Sequence, residues 1–170
     1  PLTNVFHQEL SEVNDVNWNT PLHIASGEGH AAITSFLLQN TEIPVDEVNH
    51  MKQTPLHRAC AGAHLDVVRI LVETGANPSV EDREGHAALH HAAAVGDLST
   101  IDFLCRECDV EIEPEREGVP SPIDLALDSG FNDAASRLAK HVFISSRRDK
   151  LRSSLKLFSP YFDKKYSQEA

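Results

Sequence analysis

No apolar run in this 170-residue chain approaches the roughly 20 residues that a membrane-spanning helix requires, so no membrane span is expected. The opening residues, PLTNVFHQEL, lack the basic stretch and the apolar stretch of a secretory signal. Cysteine is scarce too. Cys60, Cys105 and Cys108 form an odd set with no disulfide framework, which suits a reducing compartment and a cytoplasmic location, with the nucleus as the alternative. Cys105 and Cys108 do spell a CxxC, but no second ligand pair follows at zinc spacing. Cys105 stands directly after Phe103 and Leu104 on an apolar helix face, where a thiol behaves as a small hydrophobe. A thiol- or metal-dependent enzyme is therefore the least favoured reading, and neither metal nor cofactor is expected. Bases are outnumbered, 15 Lys and Arg against 26 Asp and Glu, for a net charge of −11. That balance argues against nucleic acid as a partner, because phosphate binding rests on Lys and Arg.

What the chain has instead is repetition. NTPLHIASGEGH at Asn19 to His30 returns as QTPLHRACAGAH at Gln53 to His64, HAALHHAAAVGD at His86 to Asp97 and PSPIDLALDSGF at Pro120 to Phe131. The histidine position is held by His23, His57, His90 and Asp124, whose spacing is constant to within one position. A regular period of this length signals a solenoid, in which each unit buries its apolar face against its neighbours. It also bears on chemistry. A general base acts on one positioned nucleophile, and three evenly spaced histidines do not describe such a site. Ser26 is replaced by Cys60, Ala93 and Leu127 in the other copies, so it reads as a tolerated small residue and not as a nucleophile. No catalytic residue is expected.

Each unit opens at Thr20, Thr54, Ala87 or Ser121, and a leucine follows at the same distance in every case, at Leu37, Leu71, Leu104 and Leu138. Length therefore varies only between that leucine and the next opening, where a loop tolerates it. Thr or Ser followed by Pro predicts a helix start, the hydroxyl capping a free N–H and proline standing where no donor is needed. A break follows at Gly29, Ala63, Gly96 and Gly130, and then a second helix with apolar residues at three- and four-residue spacing. One helix pair per unit results.

These residues resemble the ankyrin-repeat family, whose signature is T-P-L-H-x-A at a period of 33. The resemblance runs from Asp15 to about Lys140 and includes the GEGH break, the FLL helix and the ETGANPS exit in the family's order. It implies an all-α repeat solenoid of stacked helix-turn-helix units with projecting β-turn fingers and a capping helix at each end. It further implies that His23, His57 and His90 are buried hydrogen-bonding partners tying adjacent openings together. His30 and His64 would then sit at the turn between helices. The expected divisions are an N-terminal cap at 1–14, repeats at 15–48, 49–81, 82–115 and 116–144, and a basic cap or tail at 145–170.

Some residues depart from the family pattern. Ala87 and Ala88 remove both cap and proline from the third unit, which predicts a weakened middle, and Asp124 replaces histidine in the fourth. Only Asp82 to His86 keeps the family's Asp-x-x-Gly, whereas Trp18 and Lys52 stand where glycine is expected, which leaves the geometry of the first two fingers open.

By the same resemblance the chain is expected to be a monomeric, non-enzymatic module that binds another protein, or else a regulatory or targeting segment of a larger enzyme or channel. The positions free to vary are the finger tips and the two positions before the Gly-His turn. They are Val16, Asn17, Asn19 and Glu28 in the first unit, with His50, Met51 and Gln53 in the second. The third supplies Arg83, Glu84, His86 and Val95, and the fourth Glu117 and Asp128. Met51, Arg83 and His86 stand out as large or adaptable side chains on the central fingers. Glu107 to Gly118 holds six acids and one base, a solvated loop or a surface that steers a basic partner. From His141 to the end, the chain carries seven Lys or Arg against three acids, with Leu151, Leu155 and Phe158 at helical spacing, and reads as a cap on the fourth unit, with a membrane or nucleic-acid contact as the alternative.

Overall fold

The computed structural model describes residues 14–143, apart from 109, 111 and 113–117. Eight helices occur among the described residues. Seven are α1 (Pro21–Gly27), α2 (Ala31–Asn40), α3 (Pro55–Ala61), α4 (Leu65–Glu73), α5 (Ala88–Ala94), α6 (Leu98–Glu107) and α7 (Pro122–Asp128). The last, α8, covers 132–143. The expected caps at 1–14 and 145–170 lie outside the described residues, except for Asn14.

The helices form two layers. In one, the short first helices stack as α1 on α3, α3 on α5 and α5 on α7; in the other, α2 meets α4 and α4 meets α6. The single core runs between the layers and is built from Leu22, Leu56 and Leu89 of the first helices with Leu37, Leu71, Leu104 and Leu138 of the second. Ala25, Ala59, Ala92 and Ala126 are buried between neighbouring first helices, and their small size sets how closely those helices approach. At the rim of the core, Arg69 lies 4.5 Å over the Phe103 ring, and Asp102 receives both Arg137 and, at 2.9 Å, His141 Nε2. These contacts clamp α6 to its neighbours.

Why each first helix begins where it does is visible at its cap. Thr20, Thr54, Ala87 and Ser121 all have extended backbone, and the third residue of the helix reaches back to the cap N–H. His23, His57 and His90 do this with Nδ1, at 3.2, 3.0 and 3.1 Å, and Asp124 with its carboxylate, also at 3.1 Å. Asp124 thus replaces histidine in the local half of its role. The third unit keeps this half of the box and the same backbone, Ala87 having φ −89° and ψ 174° against −86° and 166° at Thr54. What is missing is the cap hydroxyl and the proline that Ala88 replaces.

The break between the helices of a unit is left-handed in every unit, with φ of 75°, 56°, 71° and 83° at Gly29, Ala63, Gly96 and Gly130. Two of these glycines are also close-contact sites. A Cβ at Gly29 would lie 2.6 Å from the His64 ring of the next unit, and one at Gly96 would collide with the Phe131 ring. Ala63 carries a Cβ at the equivalent place, and the residue that corresponds to His64 and Phe131 in the following unit is Asp97, which has no ring. Break and neighbour are therefore matched in pairs.

Because the Ala87 backbone already has the cap conformation, Ala87→Thr should stabilise the array by about 1 kcal/mol, the usual value of an N-cap hydroxyl. A urea midpoint that fails to rise would mean that the third unit has adapted to alanine.

Candidate functional site

Among the described residues three fingers project from the edge of the stack, and each is organised by one Asx side chain. Asp15 Oδ1 accepts from the N–H groups of Asn17 and Asn19, both at 2.8 Å. Asn49 Oδ1 accepts from Met51 and Gln53 at 2.9 and 3.0 Å, and Asp82 Oδ1 from Glu84 and His86 at 2.9 and 3.0 Å. The backbone closes each finger in the same way, as in Asp82 N–H to His86 O at 3.0 Å and Gly85 N–H to Asp82 O at 3.1 Å. Trp18 and Lys52 adopt φ of 61° and 57°, the conformation that Gly85 and Gly118 hold at 81°. The first two fingers thus keep the family geometry without glycine, at a strain of about 1 kcal/mol per residue.

Consecutive fingers are linked edge to edge. His50 N–H donates to Asn17 O at 3.1 Å, and Arg83 N–H to Met51 O at 2.9 Å. Asn49 Nδ2 adds a bond to Asn19 Oδ1 at 2.8 Å, while Asn19 Nδ2 donates to Asp15 Oδ2 at 2.9 Å. The histidines fasten this ribbon to the helices. His23 Nε2 donates to Gln53 O at 2.9 Å and His57 Nε2 to His86 O at 3.1 Å, each joining a helix to the next unit's finger. Since Nδ1 accepts from the cap N–H, the proton must reside on Nε2, and neutral imidazole is the form that fits. His64 makes a separate link, from Nε2 to Gly27 O at 3.1 Å in the preceding unit.

Comparison with known proteins agrees with this architecture. Residues 2–82 match the family of ankyrin repeats, as three copies. The chain belongs to the ankyrin-repeat family. It is 34% identical over 79% of its length to a transient receptor potential cation channel subfamily A member 1 homolog of Caenorhabditis elegans, covering 11% of that protein. It is 30% identical over 82% of its length to the probable 26S proteasome regulatory subunit p28 of Saccharomyces cerevisiae, covering 64% of it. A B-cell lymphoma 3 protein homolog of Mus musculus is 31% identical over 71% of this chain and is covered to 28%. The chain thus spans less than two thirds of each of these relatives. Ankyrin repeats bind other proteins, and the repeat module is not itself catalytic.

The expected ankyrin binding positions fall into two zones. Val16, Asn17, His50, Met51, Arg83 and Glu84 are exposed on the fingers, Val16 at 91%. Asn19 and Gln53 are half-buried, Asn19 serving the link to the next finger and Gln53 the link from the His23 ring, and the His86 side chain is only 14% exposed. Glu28, Val95 and Asp128 lie at the exposed ends of the first helices. Glu117 lies outside the described residues, as does most of the acidic run at 107–118.

Three exposed or unpaired side chains escape the pattern-based selection. Trp18 is 60% exposed and meets the His50 ring edge-on at 5.1 Å between centroids. The unusual tryptophan in a glycine position was its signal. Ile24 and Arg58 occupy the x of T-P-L-H-x-A on α1 and α3, the one place in that motif with no packing duty. Among the described residues no group of three His, Cys, Asp or Glu is disposed to hold a metal, and no helix is long and apolar enough to cross a membrane. Burial pushes the Cys105 thiol up to about 12 and raises that of Cys108, so both are held as thiols.

Burial, aided by His91, depresses His57 to about 4, and burial also lowers His23 and His91. The unfolded chain therefore binds protons that the fold excludes. Stability is complete above the ordinary histidine pKa of about 6.5 and declines as pH falls toward 4, with His57 alone losing about 2 kcal/mol by pH 5. Urea midpoints measured between pH 7.5 and 5 should fall, and a flat profile would show that the histidines are not excluded from protonation.

His57→Ala would orphan the Thr54 N–H and the His86 carbonyl, each buried group costing about 1–3 kcal/mol. It should lower the melting temperature and weaken binding only as a consequence. A variant of native stability that had lost function would contradict a structural role.

Proposed function

We propose that this chain is an adaptor-like ankyrin module that recognises a partner protein through its three described fingers and the exposed face of its first helices. The observation that carries the reading is the finger ribbon. Its backbone is fixed by edge-to-edge hydrogen bonds and by buried histidines, yet Val16, Trp18 and Met51 stand uncovered along it. A rigid frame presenting large apolar side chains loses little entropy when it binds, which is what an interface hot spot needs. The residues proposed for contact are Val16, Asn17, Asn19, Glu28, His50, Met51, Gln53, Arg83, Glu84, His86, Val95, Glu117 and Asp128, to which Trp18 is added. The net charge of −11 favours a partner with a basic surface, approached under long-range attraction. Divisions at 15–48, 49–81, 82–115 and 116–144, a monomeric state and a cytoplasmic or nuclear location belong to the same reading.

The second reading is a regulatory or targeting segment of a larger enzyme or channel. Its specific support is the similarity to a cation channel homolog of which this chain covers only 11%.

The fingers are tested by Met51→Ala combined with Arg83→Ala. Both side chains are exposed, so the melting temperature should stay nearly unchanged while affinity for an isolated partner falls by about 2 kcal/mol, a hot-spot-sized loss. Binding that survives this change, and is lost when residues 145–170 are removed, would assign recognition to the basic tail.

A further inference from the structure

The first helices α1, α3, α5 and α7 stack side by side, so residues at one repeat position form a row across the array. At the x position of T-P-L-H-x-A that row reads Ile24, Arg58, His91 and Leu125. His91 is engaged, its Nε2 lying 3.0 Å from Asp82 Oδ2. Arg58 is not. Its stem crosses to the end of α1, where a Cβ at Gly27 would lie 3.2 Å from Nε and 3.3 Å from Nη2. Glycine at that place leaves the room in which the guanidinium rests.

Nε is buried there without a hydrogen-bond partner, and no carboxylate pairs with Arg58 among the described residues. This holds in a chain where acids outnumber bases 26 to 15, and although the exposed Glu28 follows Gly27 directly. With Nε covered, the two Nη groups, which are not buried, are what an arriving planar acceptor can bridge end-on. Exposed apolar side chains lie to either side: Ile24 in the same row of the unit before, and Val95 one helical turn beyond His91 in the unit after.

We propose that Arg58 receives a carboxylate from an acidic residue of the partner, flanked by apolar residues that cover Ile24 and Val95. The inference rests on the protein-binding reading above and specifies what sits at the centre of that surface. Stacked helices lie about 8–10 Å apart, and an extended chain advances about 3.3 Å per residue. An extended partner segment crossing the first helices therefore meets successive units about every third residue. The expected pattern is apolar-x-x-acid-x-x-apolar. The overall basic surface of the partner acts at a distance and the single carboxylate acts at contact, so the two features are compatible.

The test uses the full chain, immobilised, and a phage-displayed random dodecapeptide library as probe. Recovered peptides should carry Asp or Glu with an apolar residue three positions away. The best of them should lose at least tenfold in affinity on Arg58→Gln, and as much when its acid is changed to the amide. Combining the two changes should add little further loss, the mark of a direct pair. Arg58→Lys, which keeps the charge but loses the bidentate fork, should fall between, and equal melting temperatures for all three proteins would exclude unfolding as the cause. Peptides without an acid, or with equal affinity for Arg58→Gln, overturn the carboxylate while leaving the binding module intact. Recovery of no peptide at all would remove the protein-binding reading together with this one.

Discussion

Each neutral imidazole in the first two units bridges three things at once: its own helix start, the body of the stack and the finger of the next unit. Nδ1 closes the cap while Nε2 reaches the carbonyl that ends the following finger, so helix initiation and unit-to-unit registration depend on the same side chain. Without that bridge the finger would be held only by its chain ends and by its bonds to neighbouring fingers, with nothing tying it to a helix of the preceding unit. With it, the finger's last carbonyl is satisfied inside the protein and its tip is held out at a fixed distance from the core. A buried histidine is tolerable there because both ring nitrogens are paired and the ring stays neutral.

The fingers show how far this frame dictates local conformation. Trp18 and Lys52 are poor residues for a left-handed turn, yet they adopt it, since Asp15 and Asn49 gather two N–H groups apiece and the neighbouring finger supplies another bond. Several hydrogen bonds of about 1 kcal/mol each outweigh a strain of similar size. A tryptophan kept in that position, exposed and propped by a histidine ring, is consistent with a surface shaped for contact rather than for stability.

The fold was legible because its determinants are local and repeated. Thr-Pro at 20–21 and 54–55, the glycine breaks and the evenly placed leucines each specify one event in one place, and four copies make the pattern unmistakable. Ala87 shows what a missing hydroxyl does and does not change: His90 keeps its half of the box and the backbone stays the same, so what is lost is one capping hydrogen bond and not the helix start. The binding surface was less legible, since exposure is set by what other units cover. Asn19 and His86 occupy variable positions, but Asn19 is drawn into the link with the next finger and the His86 ring is turned inward, a matter of partners that the motif does not name. Arg58 sits in a motif position that tolerates any residue, and its want of a partner emerges only from the packing around Gly27.

The matching of each break residue to the ring or carboxylate of the next unit gives the array a grammar. Gly29 accepts a successor with a ring, as does Gly96, whereas Ala63 stands before the carboxylate of Asp97. Units that look interchangeable by motif are therefore not interchangeable by position. Deleting the third unit would set Ala63 against Phe131, a collision between methyl and ring, while deleting the second would set Gly29 against Asp97, leaving a gap. The order of the units is written into their contact faces, so the stack has a direction and a sequence of its own that shuffling would scramble.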